Sequence, residues 1–573
     1  MLQSSQAAIP RVQSQYPRWF LAGPRRALPI QWLVIGLCLV NDAYIFYKYL
    51  TSVACRKIGF MLFNSPEFIF VFLPAAWLVF FLSERFLTRE LALISVIISS
   101  CWFYGTWNLA YLFVMIASVL LNYSAGWLVD RVSSDSTRRV IIFSSISLNI
   151  ITLIYFKYLV YLLSILGLGG IVQSSGFFQN WALPLGISFW TFQQINFLLE
   201  RYHRQKDNLN LLDYVSIVMF FPHLIAGPIV RTAELGPQVK ELGTRKRDVF
   251  ADLAVGLLLF IVGLFKKCCV ADLLSVFPNT LYGMDATTLQ SQAGPVFAWF
   301  GVITYMLQLY FDFSGYCDMG MGLARMFGFR FPINFNSPLQ AIDFADFWRR
   351  WHITLTRFFT DTLHTPMTIK LMRQYGGGKW IALSELMIIA LPVTLTFILT
   401  GIWHGAGNQF FIFGLVNGLL VSIVILWQSH FSLRIPKGIS RILTFLTVCA
   451  VFVFFRAPSL EDALAVFKTM ASWPSKGDFS LFKSLLSAQA GPHKLKLWIL
   501  IIFGLGALFA PNIYQILAKV HQPLGLRISS DMTLSRWTCS LGWCSAMMAT
   551  LASYCILYYL MIRSTASFIY FQF

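Results

Sequence analysis

A histidine between glycines interrupts an otherwise apolar tract: Gly401-Ile402-Trp403-His404-Gly405-Ala406-Gly407-Asn408, with Leu391 to Leu399 before it and Phe410 to Trp427 after it. An imidazole is costly to bury at bilayer depth and can titrate near neutral pH, so such a ring is a functional-site residue by default. The plainer alternative is a histidine hydrogen-bonded to a neighbouring helix, with Gly401 and Gly405 forming a small-residue packing seam. A second histidine, His352, lies in the segment Phe344 to Phe359 among tryptophans and arginines. These two rings are the residues that resemble a reaction centre. A zinc site would want three or four nearby ligands, and no H-x-x-x-H or cysteine cluster supplies them. Neither a G-x-S-x-G, a Walker A nor a Rossmann glycine pattern appears in context.

Other polar residues carry weaker signals. Asp312 and Asp318 either line a polar pathway or serve hydrogen bonding and capping around Ser314-Gly315. His203, between arginines, reads as a solvated loop position. His223 sits in the broken apolar run Phe221-Pro222-His223-Leu224-Ile225-Ala226-Gly227-Pro228 and is less easily set aside. Gly376-Gly377-Gly378 reads as a flexible turn rather than a phosphate cradle.

The elements that must hold these residues follow from composition. Of 573 residues 57% are hydrophobic and 12% charged, with mean hydropathy +0.66. Soluble proteins carry about 25% charged residues, so the expected class is an all-α polytopic membrane protein. About a dozen stretches approach the ~20 apolar residues a span needs; continuous rather than alternating apolarity argues against a barrel. The net charge of +19 sits in loops, as cytoplasmic placement and anionic headgroups require; no nucleic-acid partner is expected. The 10 cysteines are scattered and suggest neither a disulfide framework nor a metal site.

Along the chain, residues 1–60 form an N-terminal extension with an apolar run near 30–49, and the main domain runs from 61 to 573. The apolar stretch 91–128 is too long for one helix and should divide at Gly105-Thr106-Trp107-Asn108. The loops 130–139 and 240–247 are both basic. Placing both in the cytoplasm requires an even number of crossings between them, so one of the segments 140–167, 181–199 and 212–230 does not cross. Residues 311–338 mix aromatic, charged and glycine residues and suggest a re-entrant element lining a cavity. The segment 344–359 reads as one amphipathic helix lying in the headgroup plane, with Asp346 paired to Arg350. A polar stretch at 457–494 reads as extramembrane.

Four motifs, in this order, carry a resemblance: Phe220 to Arg231, Leu309-Tyr-Phe-Asp-Phe-Ser-Gly-Tyr316, Phe347-Trp-Arg-Arg-Trp-His-Ile-Thr-Leu355 and Gly401-Ile-Trp-His-Gly-Ala406. From about Met61 onward the chain resembles the bacterial branch of the membrane-bound O-acyltransferase family, which includes the alginate O-acetylation and teichoic acid D-alanine transfer proteins. The resemblance implies a helical bundle with re-entrant helices around a central cavity open to both sides. It implies multi-pass placement in the bacterial inner membrane, and transfer of an acyl group, acetyl in the first instance, from a thioester to a hydroxyl of a cell-envelope polysaccharide or a partner protein. The donor would be acyl-coenzyme A or an acyl-carrier thioester, with no permanently bound cofactor. A periplasmic or extracellular acyltransferase is the expected partner, beside membrane lipids.

By the same resemblance His404 is the family's invariant histidine and His352 the second characteristic one. Attack of a hydroxyl on a thioester needs a base within hydrogen-bond reach, a role that suits His404, with His352 orienting donor or acceptor. Arg349, Arg350, Asp312, Trp403 and Asn408 are the expected substrate-binding residues. Arg349, Arg350 and Lys266 would attract an anionic carrier, or simply anchor to lipid phosphate. One departure stands out: after the Trp-His-Ile-Thr-Leu-Thr run this chain reads Arg357-Phe-Phe-Thr-Asp361-Thr-Leu-His364-Thr-Pro366, where relatives carry a tryptophan and an arginine-aspartate pair. Two readings of other classes compete, a transporter or channel using Asp312, Asp318, His352 and His404, and a non-catalytic scaffold.

Overall fold

The computed structural model describes residues 61–168, 183–204, 209–285, 287–289, 293–376, 381–431, 435–473 and 493–517, with 548, 550–553, 555, 568 and 569. All belong to one compact unit, Gly59–Phe573; expectations for residues 1–60, for 474–492 and for most of a final span near 540–562 lie outside the described residues. In chain order the helices used below are α1 (Leu73–Phe86), α2 (Arg89–Gly105), α3 (Leu109–Arg131), α4 (Asp135–Ile165), α5 (Ile187–Tyr202), α6 (Leu211–Val218), α7 (Thr232–Lys240), α8 (Val249–Phe265) and α9 (Pro295–Met326). They continue as α10 (Phe344–Arg350), α11 (Ile353–Phe359), α12 (Thr365–Tyr375), α13 (Leu391–His404), α14 (Asn408–His430), α15 (Lys437–Arg456), α16 (Leu460–Met470) and α17 (His493–Phe509). Among the described residues eight helices are long and apolar enough to cross a membrane, and there is no strand ladder.

Local chemistry sets the boundaries. The 91–128 stretch divides where expected: α2 stops at Gly105, and the Asn108 side chain accepts from Ala110 N–H (2.9 Å) and Tyr111 N–H (3.3 Å) to start α3. The expected non-crossing segment has a structural counterpart. α4 is long enough to cross, and α5, 16 residues long and shorter than those eight, ends beside the start of α4. Arg138 near the start of α4 donates to Arg201 O at the end of α5 (3.2 Å), and Arg204 pairs with Asp135 (3.1 Å). The third segment is broken, as a segment that does not cross would be: Pro222 and the glycine that follows divide 212–230 into α6 and a four-residue turn.

Two expectations are corrected. Residues 311–326 are not re-entrant; they complete α9, a continuous 32-residue helix whose every residue from Thr304 to Met326 is buried. The polar residues are tolerated because a wide turn after α8 brings two lysines to two carboxylates, Lys266 to Asp318 (2.6 Å) and Lys267 to Asp312 (2.7 Å). Glycines bring the two helices that close: a methyl on Gly256 would sit 2.6 Å from Gly322 O, and one on Gly315 would sit 2.7 Å from Gly263 O.

The segment 344–359 is likewise not one helix in a headgroup plane. It forms α10 and α11, joined by a bend at Trp351-His352, with the apolar stripe turned into the protein. Trp348 and Trp351 pack on Phe452, Trp348 also meets Phe397, and its indole donates to Asn417 Oδ1 (3.1 Å). Aromatic partners on α13, α14 and α15 offer that stripe more contact than lipid would. The expected Asp346–Arg350 pair is present at 3.0 Å.

Candidate active site

His352 is the residue at which α10 turns into α11. Its backbone is left-handed (φ 44°), one of three such non-glycine residues among those described. A side chain bearing a Cβ pays for that conformation, and such outliers cluster at functional sites. The loop after α9 holds the bend in place: Asn336 N–H donates to Arg350 O (3.0 Å) and Ile353 N–H to Asn334 O (2.9 Å). The imidazole Nδ1 lies 3.1 Å from Asn334 Oδ1. Its ring meets Phe313 edge-on at 4.8 Å, with Phe335 and Phe189 nearly parallel at 6.5 and 6.4 Å. The residue is 2% exposed, and burial pushes its imidazole down to about 3, keeping it neutral.

His404 ends α13, where Gly405 takes an extended conformation and the chain turns into α14. Aromatic rings hold it: Trp403 at 4.6 Å, Phe455 at 4.9 Å and Phe413 at 6.2 Å. The packing-seam alternative is also realised here, because a methyl on Gly401 would come within 2.8 Å of Gly414 N on α14. The last carbonyls of α13 are capped from α4: Tyr158 OH donates to Ile402 O (2.7 Å) and Lys157 Nζ to Trp403 O. A cation at a helix C-terminus is favourable. Lys157 and His352 are the electrostatic neighbours of His404.

α5 joins His352 to Trp403, the neighbour of His404 in the chain. Phe189 touches the His352 ring and, at 6.3 Å, the Trp403 ring; one turn on, Phe192 stacks with Phe358 (4.3 Å) and reaches Trp403 (5.4 Å). His352 and Trp403 therefore share one aromatic wall on α5, and His404 packs against Trp403 from its own place in the chain. Both imidazoles are enclosed rather than left in open space, His404 being 7% exposed.

The remaining expected site residues scatter. Trp403 belongs to the wall. Asn408, exposed at the start of α14, accepts from Tyr161 OH (3.4 Å). Arg349 and Arg350 turn to Asp346, at 3.5 and 3.0 Å. The Asp312 carboxylate is buried on Lys267 and on the amide of Ile569 (2.9 Å), and Lys266 is committed to Asp318. These groups are spent on structural pairs and are not gathered with the histidines. His223 is structural: its Nε2 lies 2.9 Å from Ile217 O, which can only accept, so the ring donates there. The departure from the family pattern is tied down by ion pairs, Arg357 bidentate to Glu234 (2.6 and 3.0 Å) and Arg231 to Asp361. Sequence reasoning missed Lys157, Tyr158, Phe189 and the role of Asn334. A lysine within a span was the available signal for the first; a phenylalanine among 54 offers none.

The family model of the membrane-bound O-acyltransferases matches residues 91–461. A peptidoglycan O-acetyltransferase of Helicobacter pylori is 35% identical over 448 residues, 73% of this chain and 81% of that protein. A probable alginate O-acetylase of Pseudomonas aeruginosa is 32% identical over 457 residues, 78% of this chain and 82% of that one. A teichoic acid D-alanyltransferase of Bacillus subtilis is 27% identical over 280 residues, covering 47% and 68%. Two buried histidines linked through Phe189 and Trp403, a helical membrane bundle and a match over well over half its length agree: this chain belongs to the membrane-bound O-acyltransferase family.

Proposed function

We propose that this protein moves an acetyl group from a cytoplasmic thioester, acyl-coenzyme A or an acyl carrier, to a hydroxyl of a cell-envelope polymer. The observation that carries the reading is the convergence of His352 and the Trp403-His404 pair on Phe189. His404 takes the hydroxyl proton as oxygen attacks the thioester carbonyl, and His352 orients the reactants; the thiolate leaves and recovers that proton. The capped end of α13 supports access from the far side. Lys157 lies about 33 Å along α4 from Asp135 at 1.5 Å per residue, roughly the hydrocarbon thickness, and Asp135 lies on the side of the basic loops. A donor entering from the basic side and an acceptor arriving at the other would meet within the bundle. Relatives act on peptidoglycan, alginate or teichoic acid by their names, all polymers outside the cytoplasm. That argues for a bacterial inner-membrane location and for a periplasmic partner that completes delivery. The transporter reading gains no support from Asp312 and Asp318, each neutralised by a lysine.

The test is transfer of radiolabelled acetyl from acetyl-coenzyme A to soluble glycan fragments by purified protein in lipid bilayers. His404→Ala should lose about 10²–10⁴-fold in rate, the usual cost of a general base, while keeping its elution profile and melting behaviour. A well-folded His404→Ala protein with full activity would overturn the mechanism.

A further inference from the structure

Asn334 decides something packing alone cannot, namely which nitrogen of His352 carries the proton. Its side-chain oxygen stands at the centre of three contacts: Thr354 N at 3.2 Å, Thr354 Oγ1 at 2.9 Å and His352 Nδ1 at 3.1 Å. The first is a backbone amide, which can only donate. The atom it meets is therefore the amide oxygen, an assignment that otherwise depends on the network. The Thr354 hydroxyl is committed in the same sense. It accepts from Ile229 N–H at 3.0 Å, so it turns its own hydrogen toward Asn334. The Asn334 amide nitrogen faces the Cys317 sulfur at 3.2 Å.

An amide oxygen fixed in this way has nothing to give to Nδ1, so Nδ1 must carry a hydrogen. A neutral imidazole with its hydrogen on Nδ1 keeps its lone pair on Nε2. The arrangement is rigid. Asn334 is 0% exposed, and its own carbonyl is held by Ile353 N–H across the bend. The rings around the imidazole, Phe189 on α5, Phe313 on α9 and Phe335 on the loop, do not titrate. Its titratable neighbours are His404 on α13 and, beyond Asn334, Cys317 on α9. Arg350 and Arg357 on the flanking helices are drawn away to Asp346 and Glu234.

We infer that Asn334 is a positioning residue that locks His352 in the Nδ1–H form, so that this ring meets the substrates only as a hydrogen-bond acceptor, through Nε2. The inference rests on the acyl-transfer reading and deepens it. His352 orients the acceptor by taking a hydrogen bond from a second hydroxyl beside the attacking one, whose own proton goes to His404, and it does not protonate the departing thiolate.

Two measurements separate this inference from the reading beneath it. The first needs no turnover: the full chain, labelled with ¹⁵N-histidine in lipid bilayers, is compared with His352→Gln to isolate one ring among eight. At pH 7 the difference spectrum should show a protonated Nδ1 and a bare Nε2; the reverse pattern overturns the inference. The second is the pH dependence of kcat. Asn334→Asp accepts the same three hydrogens but favours the imidazolium. Because protonation at Nε2 removes the acceptor, the acid limb of kcat should move up by about one unit or more, with activity retained at higher pH. Asn334→Leu should cost on the order of 10²–10⁴-fold, as for loss of a positioned proton-transfer group. Cys317→Ala removes only the contact to the amide nitrogen and should leave spectrum and profile unchanged. An unshifted limb in Asn334→Asp, or full kcat in Asn334→Leu, overturns the inference. A wild-type Nδ1–H spectrum in a protein that transfers no acyl group overturns the acyl-transfer reading and leaves the tautomer standing.

Discussion

The two histidines are held by different physics. His352 sits at a strained bend and is fixed by directional bonds: an amide oxygen on Nδ1, a threonine hydroxyl behind it and two backbone bonds across the turn. His404 sits at an unstrained helix end in close aromatic packing, with Phe455, Phe413 and Trp403 around the ring, a lysine and a tyrosine on the carbonyls beneath, and Lys157 and His352 as electrostatic neighbours. Hydrogen bonds fix a ring's proton and angle, whereas packing fixes its place and keeps water out. Such a division suits a pair in which one ring must present a defined nitrogen and the other must accept a proton in a dry setting.

Substitutions should separate the two devices. The largest effect falls on the rings themselves. His404→Ala and His352→Ala should each reduce transfer, His404→Ala by about 10²–10⁴-fold and His352→Ala by as much or less, measured as initial rates on protein of unchanged melting temperature. Equal wild-type rates for both would dissolve the pair. Next comes volume: Phe455→Ala should cost about 3–5 kcal/mol of stability if the wall behaves as a packed core, read by thermal unfolding in detergent. It should also lower kcat without moving the pH profile. A shifted profile there would mean that the packed side, too, is set by hydrogen bonds.

The mirror experiment removes a hydroxyl and keeps the shape. Thr354→Val deprives Ile229 N–H of its acceptor and Asn334 of a donor, at a cost of about 1–3 kcal/mol, and should perturb the His352 ring signals while leaving those of His404 in place. Disturbance of both rings alike would blur the contrast. The smallest effect belongs to Arg349, whose side chain is 61% exposed in its pair with Asp346. Arg349→Gln should change stability by less than about 0.5 kcal/mol. A large rise in KM for the thioester would return this arginine to the donor site.

The corrected helices share one cause. In the 311–326 segment, charge and glycine suggested broken backbone, yet the helix continues because Lys266 and Lys267 arrive from a distant turn. In 344–359, the amphipathic pattern correctly marked Phe347, Trp348 and Trp351 as one face, but a period says only that a face is apolar, not whether lipid or protein covers it. The left-handed turn at His352 has no local signature, since neither glycine nor asparagine stands there; it exists because the 334–336 segment binds both sides of it.

By itself the sequence determined the class and the division at Asn108, and it pointed to the two histidines and to a non-crossing segment, because each rests on local composition: apolar length, caps, basic loops and ionisable groups where a bilayer penalises them. Only the tertiary structure decided what the histidines touch. The Lys157 cap, the Phe189 bridge and the Asn334 acceptor join segments far apart in the chain. Their hydrogen bonds and ring contacts act over a few ångströms between particular atoms, a scale on which distance along the chain says nothing.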